Sequence, residues 1–402
     1  MRGRKVLRGL VRAIRFGILA LVLMITVLWW KADWDMRYLL RVLAHRESST
    51  TDFRWKHSVT VRPSDTSIPW PEVPGCPHVD RAFAAESDVE TMDDYLRESG
   101  TTALVIVRHG AIVCEWYGNG GSRAEPAAAM SVSKSVLALL LARAVDSGQL
   151  KLSDPITAFI PRLAARDPRF ANITLADLVD MKSGIGYTEQ TSFPWVNQDG
   201  PSIYYASDLA HTVVERPTIS SSPGPFLYND YAPNLTGLAL QRATGRPLSV
   251  ALQDLWNELG AEYPAAWSVD ELGFAYHESG FVVTARDLAR FGQLLLDDGS
   301  AHERQVAPDA FLQRSFDPVG HEQIATSAGV EVGYRNGWWV LPRIGEADID
   351  LAAMGRYGQI MLVSPADDTV IVRMGADGHD ETNISIATRL QRISDRLRDG
   401  EL

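Results

Sequence analysis

The chain has 402 residues, 46% hydrophobic and 22% charged, an ordinary globular balance with room for one large or two intergrown domains. Its formal charge is −11; residues 1–35 carry seven Lys/Arg against two Asp, a net of +5, which leaves −16 on the remainder. That acidic, solvated surface argues against nucleic acid as a partner. The two cysteines, Cys76 and Cys114, offer no zinc or iron–sulfur spacing, so no metal or other cofactor is expected. They can pair in an oxidising compartment or stay as free or buried thiols, and the spacing alone leaves both readings open.

Arg2, Arg4, Lys5, Arg8, Arg12 and Arg15 precede an uncharged run from Phe16 to Trp30. The run falls short of the ~20 residues a spanning helix needs. Extending it back through Leu10, Val11, Ala13 and Ile14 reaches that length, because Arg12 and Arg15 can snorkel toward headgroups. Trp29, Trp30 and Trp34 suit an interfacial belt. A cleaved signal peptide shares the basic start but needs small residues at its exit, where this chain has Trp29-Trp30-Lys31-Ala32-Asp33-Trp34. The expectation is therefore a basic cytoplasmic tail and transmembrane anchor over 1–35, with everything after it on the non-cytoplasmic side. Residues 36–79 read as a stalk or arm, because Pro63, Pro69, Pro71, Pro74 and Pro77 interrupt any helix.

The remaining span, 80–402, is expected to be one catalytic domain. Its pattern predicts a helix over 81–98, a β-hairpin from 101–107 and 111–117 across His109-Gly110, and a buried helix behind Ser131. A mainly helical stretch follows, with helices over 174–181, 206–215, 234–243, 249–259 and 285–297. Two long irregular pieces, 183–205 and 260–284, separate them and suit lids or functional loops. Strands return at 330–341, 359–363 and 369–374, and an amphipathic helix over 383–397 closes the chain.

Chemistry concentrates in three places. Ser131-Val132-Ser133-Lys134 puts a hydroxyl and an amine one helical turn apart, on one face, at a helix start. A lysine titrates near ~10.4 in water, and burial lowers that value, which would let Lys134 accept the Ser131 proton. Further on, Pro223-Gly224-Pro225-Phe226-Leu227-Tyr228-Asn229-Asp230 is followed by Gly237, nine residues after the tyrosine. Last comes Ala353-Met354-Gly355-Arg356-Tyr357-Gly358-Gln359, leading into a strand.

Together these motifs resemble those of the serine β-lactamase and penicillin-binding-protein superfamily, in its class C-like branch of esterases, D-amino-acid amidases and 6-aminohexanoate-oligomer hydrolases. The resemblance covers roughly residues 80–398. It implies an α+β fold: an antiparallel sheet flanked by helices, with a mainly helical inserted subdomain, here preceded by one N-terminal transmembrane helix. It also implies that Ser131 is the nucleophile, that Lys134 is its partner, and that Tyr228 shares the serine–lysine proton and passes it to the leaving group. N–H groups of Ser131 and near Arg356, on the strand marked by Gly355, would form the oxyanion hole. Tyr187, Tyr204 and Tyr205 lie in the 183–205 loop, where each can touch substrate or simply pack on the core. Tyr187 is carried forward as a candidate substrate contact, and so is His379, which can reach the cleft mouth or stay solvated.

Two departures stand out. Asp230 replaces the asparagine amide of lactamases and transpeptidases, and an ionised carboxylate only accepts hydrogen bonds. It can also pair with Lys134 and hold it charged, which would move the base role to Tyr228. The Lys-Thr-Gly motif is absent, and with it a cation for a substrate carboxylate. Both changes point to esters or amides of small molecules instead of β-lactams. The alternatives are a cell-wall D,D-peptidase and a catalytically silent peptidoglycan-binding protein on the same fold. No G-x-S-x-G elbow exists, and His277-Glu278 and His321-Glu322 are not completed as zinc motifs.

Overall fold

The computed structural model describes residues 2–31, 35–73, 75–86, 91–188, 198–317, 324–325, 331–343, 348–378 and 381–399. The chain divides into two compact units: Met1–Ser48 with Tyr187–Ser207, and Ser49–Gly186 with Asp208–Leu402.

In the first unit one helix runs Arg2–Lys31, and its stretch Leu10–Lys31 is long and apolar enough to cross a membrane, a test that a signal sequence also passes. A second helix, Met36–His45, starts at Asp35, whose carboxylate accepts the Tyr38 N–H at 2.9 Å. Arg41 donates to the Ala206 carbonyl at 3.0 Å, and Ser207 Oγ donates to Asp35, so the 198–207 segment is tied to this helix.

The second unit contains both large sheets. Its strands are β1 (His57–Val61), β2 (Thr101–Arg108), β3 (Ala111–Tyr117), β4 (Ala127–Ala128), β5 (Ala265–Val269), β6 (Phe281–Val283), β7 (Ser300–Ala301), β8 (Arg304–Gln305), β9 (Ile324–Ala325), β10 (Glu331–Arg335), β11 (Trp338–Pro342), β12 (Ile349–Gly355), β13 (Gln359–Ser364) and β14 (Thr369–Gly375). Eight of them form an antiparallel sheet in the order β3-β2-β14-β13-β12-β11-β10-β9, and four form a second sheet in the order β1-β5-β6-β4. Strands from before and after the helical middle of this unit therefore meet where β14 pairs with β2.

Both faces of the larger sheet are covered, so its central strands are buried along their whole length instead of alternating with exposed positions. Ile371 of β14 joins a core with Leu104, Ile106 and Leu362 under the helix Asn383–Asp399, which contributes Ile386, Leu390, Ile393 and Leu397 at helical spacing. Val370 points to the other face, so close to the helix Ala285–Leu296 that a Cβ on Gly292 would lie 2.4 Å from it. Each such buried Ile or Leu contributes about 1.5–3 kcal/mol over an exposed one.

Several expectations change. The 36–79 segment is more than a stalk: it supplies the Met36–His45 helix and β1, which pairs residue for residue with β5. Pro77 opens a helix, Pro77–Glu86, since a first-turn residue needs no N–H partner; the expected 81–98 helix is this one and Met92–Glu98. The irregular 260–284 piece contains β5 and β6, strands too short for periodicity to reveal. The run 330–341 is a hairpin, because Asn336 and Gly337 both adopt positive φ (54° and 82°), as a two-residue turn requires. Cys76 and Cys114 form a disulfide. The arm runs along β3, with Val73 N–H donating to the Ile112 carbonyl and Ile112 N–H to that of Pro71, each at 2.8 Å, and this brings the two sulfurs together.

Candidate active site

Ser131 lies in a tight turn, Met130–Val132, that runs directly into the buried helix Ser133–Asp146. Met130, just before the serine, has φ 49°, a left-handed conformation that costs a bulky residue energy and persists only where its surroundings impose it. Those surroundings are visible. Ser133 Oγ donates to the Met130 carbonyl at 2.6 Å and accepts the Phe281 N–H at 3.0 Å, while Ala129 N–H donates to the Phe281 carbonyl at 2.8 Å. The turn is thus stitched to β6. Nothing in the local sequence pattern marks Ser133 for this task.

The helix is held from the far side by the Asn336-Gly337 turn. Ser135 Oγ donates to the Gly337 carbonyl at 2.7 Å, and a Cβ on Gly337 would stand 2.8 Å from that of Ala138. Gly355, at the end of β12, makes an equally close approach in front: its Cβ would fall 2.5 Å from the Ala129 carbonyl oxygen. Only glycine lets that strand end come so near the turn that carries Ser131.

Lys134 is buried and makes three contacts. Its Nζ donates to Ser131 Oγ at 2.9 Å and to the Glu278 carbonyl at 3.0 Å, and pairs with Asp230 Oδ1 at 2.9 Å. It also lies 4.9 Å from the centre of the Tyr228 ring. Burial by itself would push Lys134 toward its neutral form, but the Asp230 carboxylate and the Tyr228 oxygen outweigh it and hold the ammonium well above its ordinary range. The expectation that burial frees Lys134 as a neutral base does not hold; pairing with Asp230 does.

Tyr228 and Asp230 come from a loop pinned at several points. Gly224 and Leu227 N–H groups donate to the Lys182 and Met181 carbonyls, each at 2.8 Å. Asn229 Nδ2 donates to the Leu227 carbonyl, and its Oδ1 accepts the Ala232 N–H, each at 2.9 Å, which starts the helix Tyr231–Thr244. The Tyr228 ring stacks on Trp339 of β11 at 5.6 Å, with Tyr334 of β10 edge-on at 5.7 Å.

The backbone of Glu278 was not foreseen as a lysine acceptor. Its side chain is buried too, with Oε2 lacking a hydrogen-bond partner. Burial first, and the Asp230 charge second, push its carboxyl above the usual range, against the pull of Lys56 and Lys134.

Ser131, Lys134, Tyr228 and Asp230 are thus brought together, with Gly355 packed beside the serine turn. Arg356 follows Gly355 as an exposed side chain whose guanidinium lies 5.1 Å from the Tyr357 ring centre. Tyr187, Tyr204 and Tyr205 belong to the first unit, and His379 lies outside the described residues. Among the described residues no group of His, Cys, Asp or Glu is arranged to hold a metal ion.

A family model described as Beta-lactamase matches residues 89–393. A 6-aminohexanoate-dimer hydrolase from Paenarthrobacter ureafaciens is 27% identical over 326 residues, covering 76% of this chain and 80% of its own. Esterase EstB from Burkholderia gladioli is 28% identical over 143 residues, 31% of this chain and 34% of its own. Among solved structures, a candidate 6-aminohexanoate-dimer hydrolase from Bacillus anthracis superposes with a TM-score of 0.76 at 23% identity, covering 88% of this chain and 94% of its own.

Proposed function

The chain belongs to the beta-lactamase family, and from that premise we propose that it is a serine hydrolase cleaving ester or amide bonds of small molecules through an acyl-enzyme on Ser131. The observation that carries this reading is the contact of Lys134 Nζ, itself paired with Asp230, with Ser131 Oγ at 2.9 Å. An ammonium so placed stabilises negative charge developing on the serine oxygen as it attacks a carbonyl. The proton leaving Ser131 passes to Tyr228, which hands it to the departing alcohol or amine. Water then attacks the acyl carbonyl and gives its proton to Tyr228, which returns it to the departing Ser131 oxygen as the acid is released. N–H groups of Ser131 and Arg356 receive the carbonyl oxygen in both halves.

Asp230 is engaged by Lys134 and offers no amide donor, and no Lys-Thr-Gly cation faces the site; both favour esters and linear amides over β-lactams. The names of the 6-aminohexanoate-dimer hydrolase and the esterase agree with that preference. The Leu10–Lys31 helix would anchor the protein, and the Cys76–Cys114 disulfide supports a catalytic domain in an oxidising, non-cytoplasmic compartment.

The test is to label the purified protein and Ser131→Ala with a fluorophosphonate, then assay p-nitrophenyl esters, 6-aminohexanoate dimer, D-amino-acid amides and nitrocefin. Labelling of the parent alone, with ester or linear-amide turnover above nitrocefin turnover, is expected. Equal labelling of the alanine variant removes the nucleophile; a higher specificity constant for nitrocefin removes the substrate preference. Proteolysis of intact membrane vesicles from each side checks the orientation.

A further inference from the structure

Asn234 lies six residues beyond Tyr228, inside the helix Tyr231–Thr244, and belongs to none of the signatures read from the sequence. It is completely buried, and its amide is used at both ends. Nδ2 donates to the Asp230 carbonyl at 2.7 Å, and Oδ1 accepts the His277 N–H at 3.0 Å. These are the two chain segments from which Lys134 takes its acceptors: the Asp230 carboxylate at 2.9 Å and the Glu278 carbonyl at 3.0 Å. Each of those acceptors is within a residue of a group that Asn234 grips.

The bond to Asp230 alone would be unremarkable, since a polar side chain in a helix often returns to the carbonyl four residues back. The second bond is different, because it reaches a segment 43 residues away in the chain. Gly237, one turn further along the helix, makes room for it. A Cβ there would meet the His277 ring at 2.2 Å, so the 277–278 segment sits as close as it does only because that side chain is missing.

We propose that Asn234 is a positioning residue of the active site: its amide cross-links the Asp230 and His277–Glu278 segments and so sets the spacing of the two acceptors that aim Lys134 Nζ at Ser131 Oγ. This rests on the reading of Ser131 as nucleophile. Lys134 has three N–H bonds to direct, and two of them go to these acceptors. If either acceptor drifts, the third N–H no longer points at the serine oxygen. A misplacement of 1 Å in a catalytic group can cost on the order of 10²-fold in rate.

Thr236 provides the control. It is buried in the same helix, and its Oγ1 donates to the Ala232 carbonyl at 2.8 Å, a bond within the helix that reaches neither acceptor segment. The full-length protein in detergent would carry Asn234→Ala, Asn234→Asp, Thr236→Val or Ser131→Ala. Each is scored for melting temperature, fluorophosphonate labelling rate, and kcat and KM for p-nitrophenyl butyrate. Asn234→Ala is expected to lower kcat and the labelling rate about 10- to 100-fold, with KM within about twofold. Thr236→Val should lose melting temperature but keep kcat and labelling within about twofold. Asn234→Asp preserves shape and the acceptor for His277 while exchanging the amide donor, so it decides the matter if the alanine variant does not fold; it too should lose about tenfold in labelling rate.

Parent-like labelling in the folded Asn234 variants, or an equal loss in Thr236→Val, overturns the positioning role. Labelling of Ser131→Ala at the parent rate would instead overturn the nucleophile reading, and the two failures are distinct.

Discussion

Lys134 and Arg343 are both buried cations in the same unit, and they differ in how many carboxylates face them. Arg343, just past β11, meets Asp350 of β12 at 3.0 Å, Ser364 at the end of β13 at 2.7 Å, Asp367 of the next turn at 2.9 Å, and Asp395 of the last helix. Its guanidinium fork is saturated by carboxylates, two of them wholly buried, and it clamps three strands and a helix. Lys134 has one carboxylate, Asp230, a quarter of whose side chain is exposed, and its other bonds go to a peptide carbonyl and a hydroxyl. Burial opposes the charge on both, and neighbouring anions restore it on both. The difference lies in what is left over. Arg343 directs its charge at three carboxylates and a buried serine hydroxyl and builds structure, whereas Lys134 keeps one N–H for the Ser131 hydroxyl.

The sharpest way to break this contrast is Ser131→Ala. Turnover should fall by about 10³-fold or more, while losing one hydroxyl at a helix start costs no more than about 0.5–2 kcal/mol of stability. Residual turnover near the parent rate would place the chemistry elsewhere.

Arg343→Met should do the reverse. It strands buried carboxylates, so unfolding free energy should drop by about 3–5 kcal/mol. The specific activity of the folded fraction, assayed well below the melting temperature, should be unchanged. A comparable loss of kcat would erase the distinction between the two cations.

Asp230→Asn tests the carboxylate that pairs with Lys134. With the carboxylate gone, burial is less opposed and Lys134 shifts toward its neutral form. Since the ammonium is the active form in this reading, the alkaline limb of the kcat/KM profile should move to lower pH. Ester turnover at pH 8 should fall about tenfold, the equivalent of roughly 1.4 kcal/mol, and nitrocefin turnover should rise relative to it. An alkaline limb that stays in place would mean Asp230 does not control the lysine.

The smallest effect is expected from Glu278→Gln. Burial raises this carboxyl, so the fold favours its neutral form while the unfolded chain ionises near 4.5. Its contribution to stability is therefore greatest below that value and declines as pH rises toward the folded pKa. Glutamine removes the penalty, so melting at pH 7 should rise by about 2 °C, with little change at pH 4. A lower melting temperature at pH 7 would show that the carboxylate is ionised and paired.

Legibility from sequence followed the range of the interactions. Ser131 and Lys134 are three residues apart, so local spacing was enough to pair them, while Tyr228 and Asp230 were nominated by the resemblance of their motif to the superfamily's. The hairpin of β2 and β3 and the closing helix were visible because their patterns extend over seven residues or more. β5 and β6 were not, because strands of five and three residues buried among apolar neighbours have no readable period. The arm was misread because proline marks a break in both a stalk and a strand-bearing segment, and only pairing with β5 distinguishes them.

By itself, then, the sequence determined which chemical groups were available, that residues 2–30 form a basic and then apolar segment, and that Asp230 and Ala353-Met354 depart from the lactamase pattern. It could not decide the charge state of Lys134, because desolvation and the pull of a carboxylate act in opposite directions. Their balance depends on a distance between residues 134 and 230 that no spacing encodes. Nor could it show that the Glu278 carbonyl and the Asn234 amide serve the same lysine, or that Cys76 pairs with Cys114. Backbone carbonyls are identical at every residue, and partners far apart in the chain become neighbours only when the sheets close.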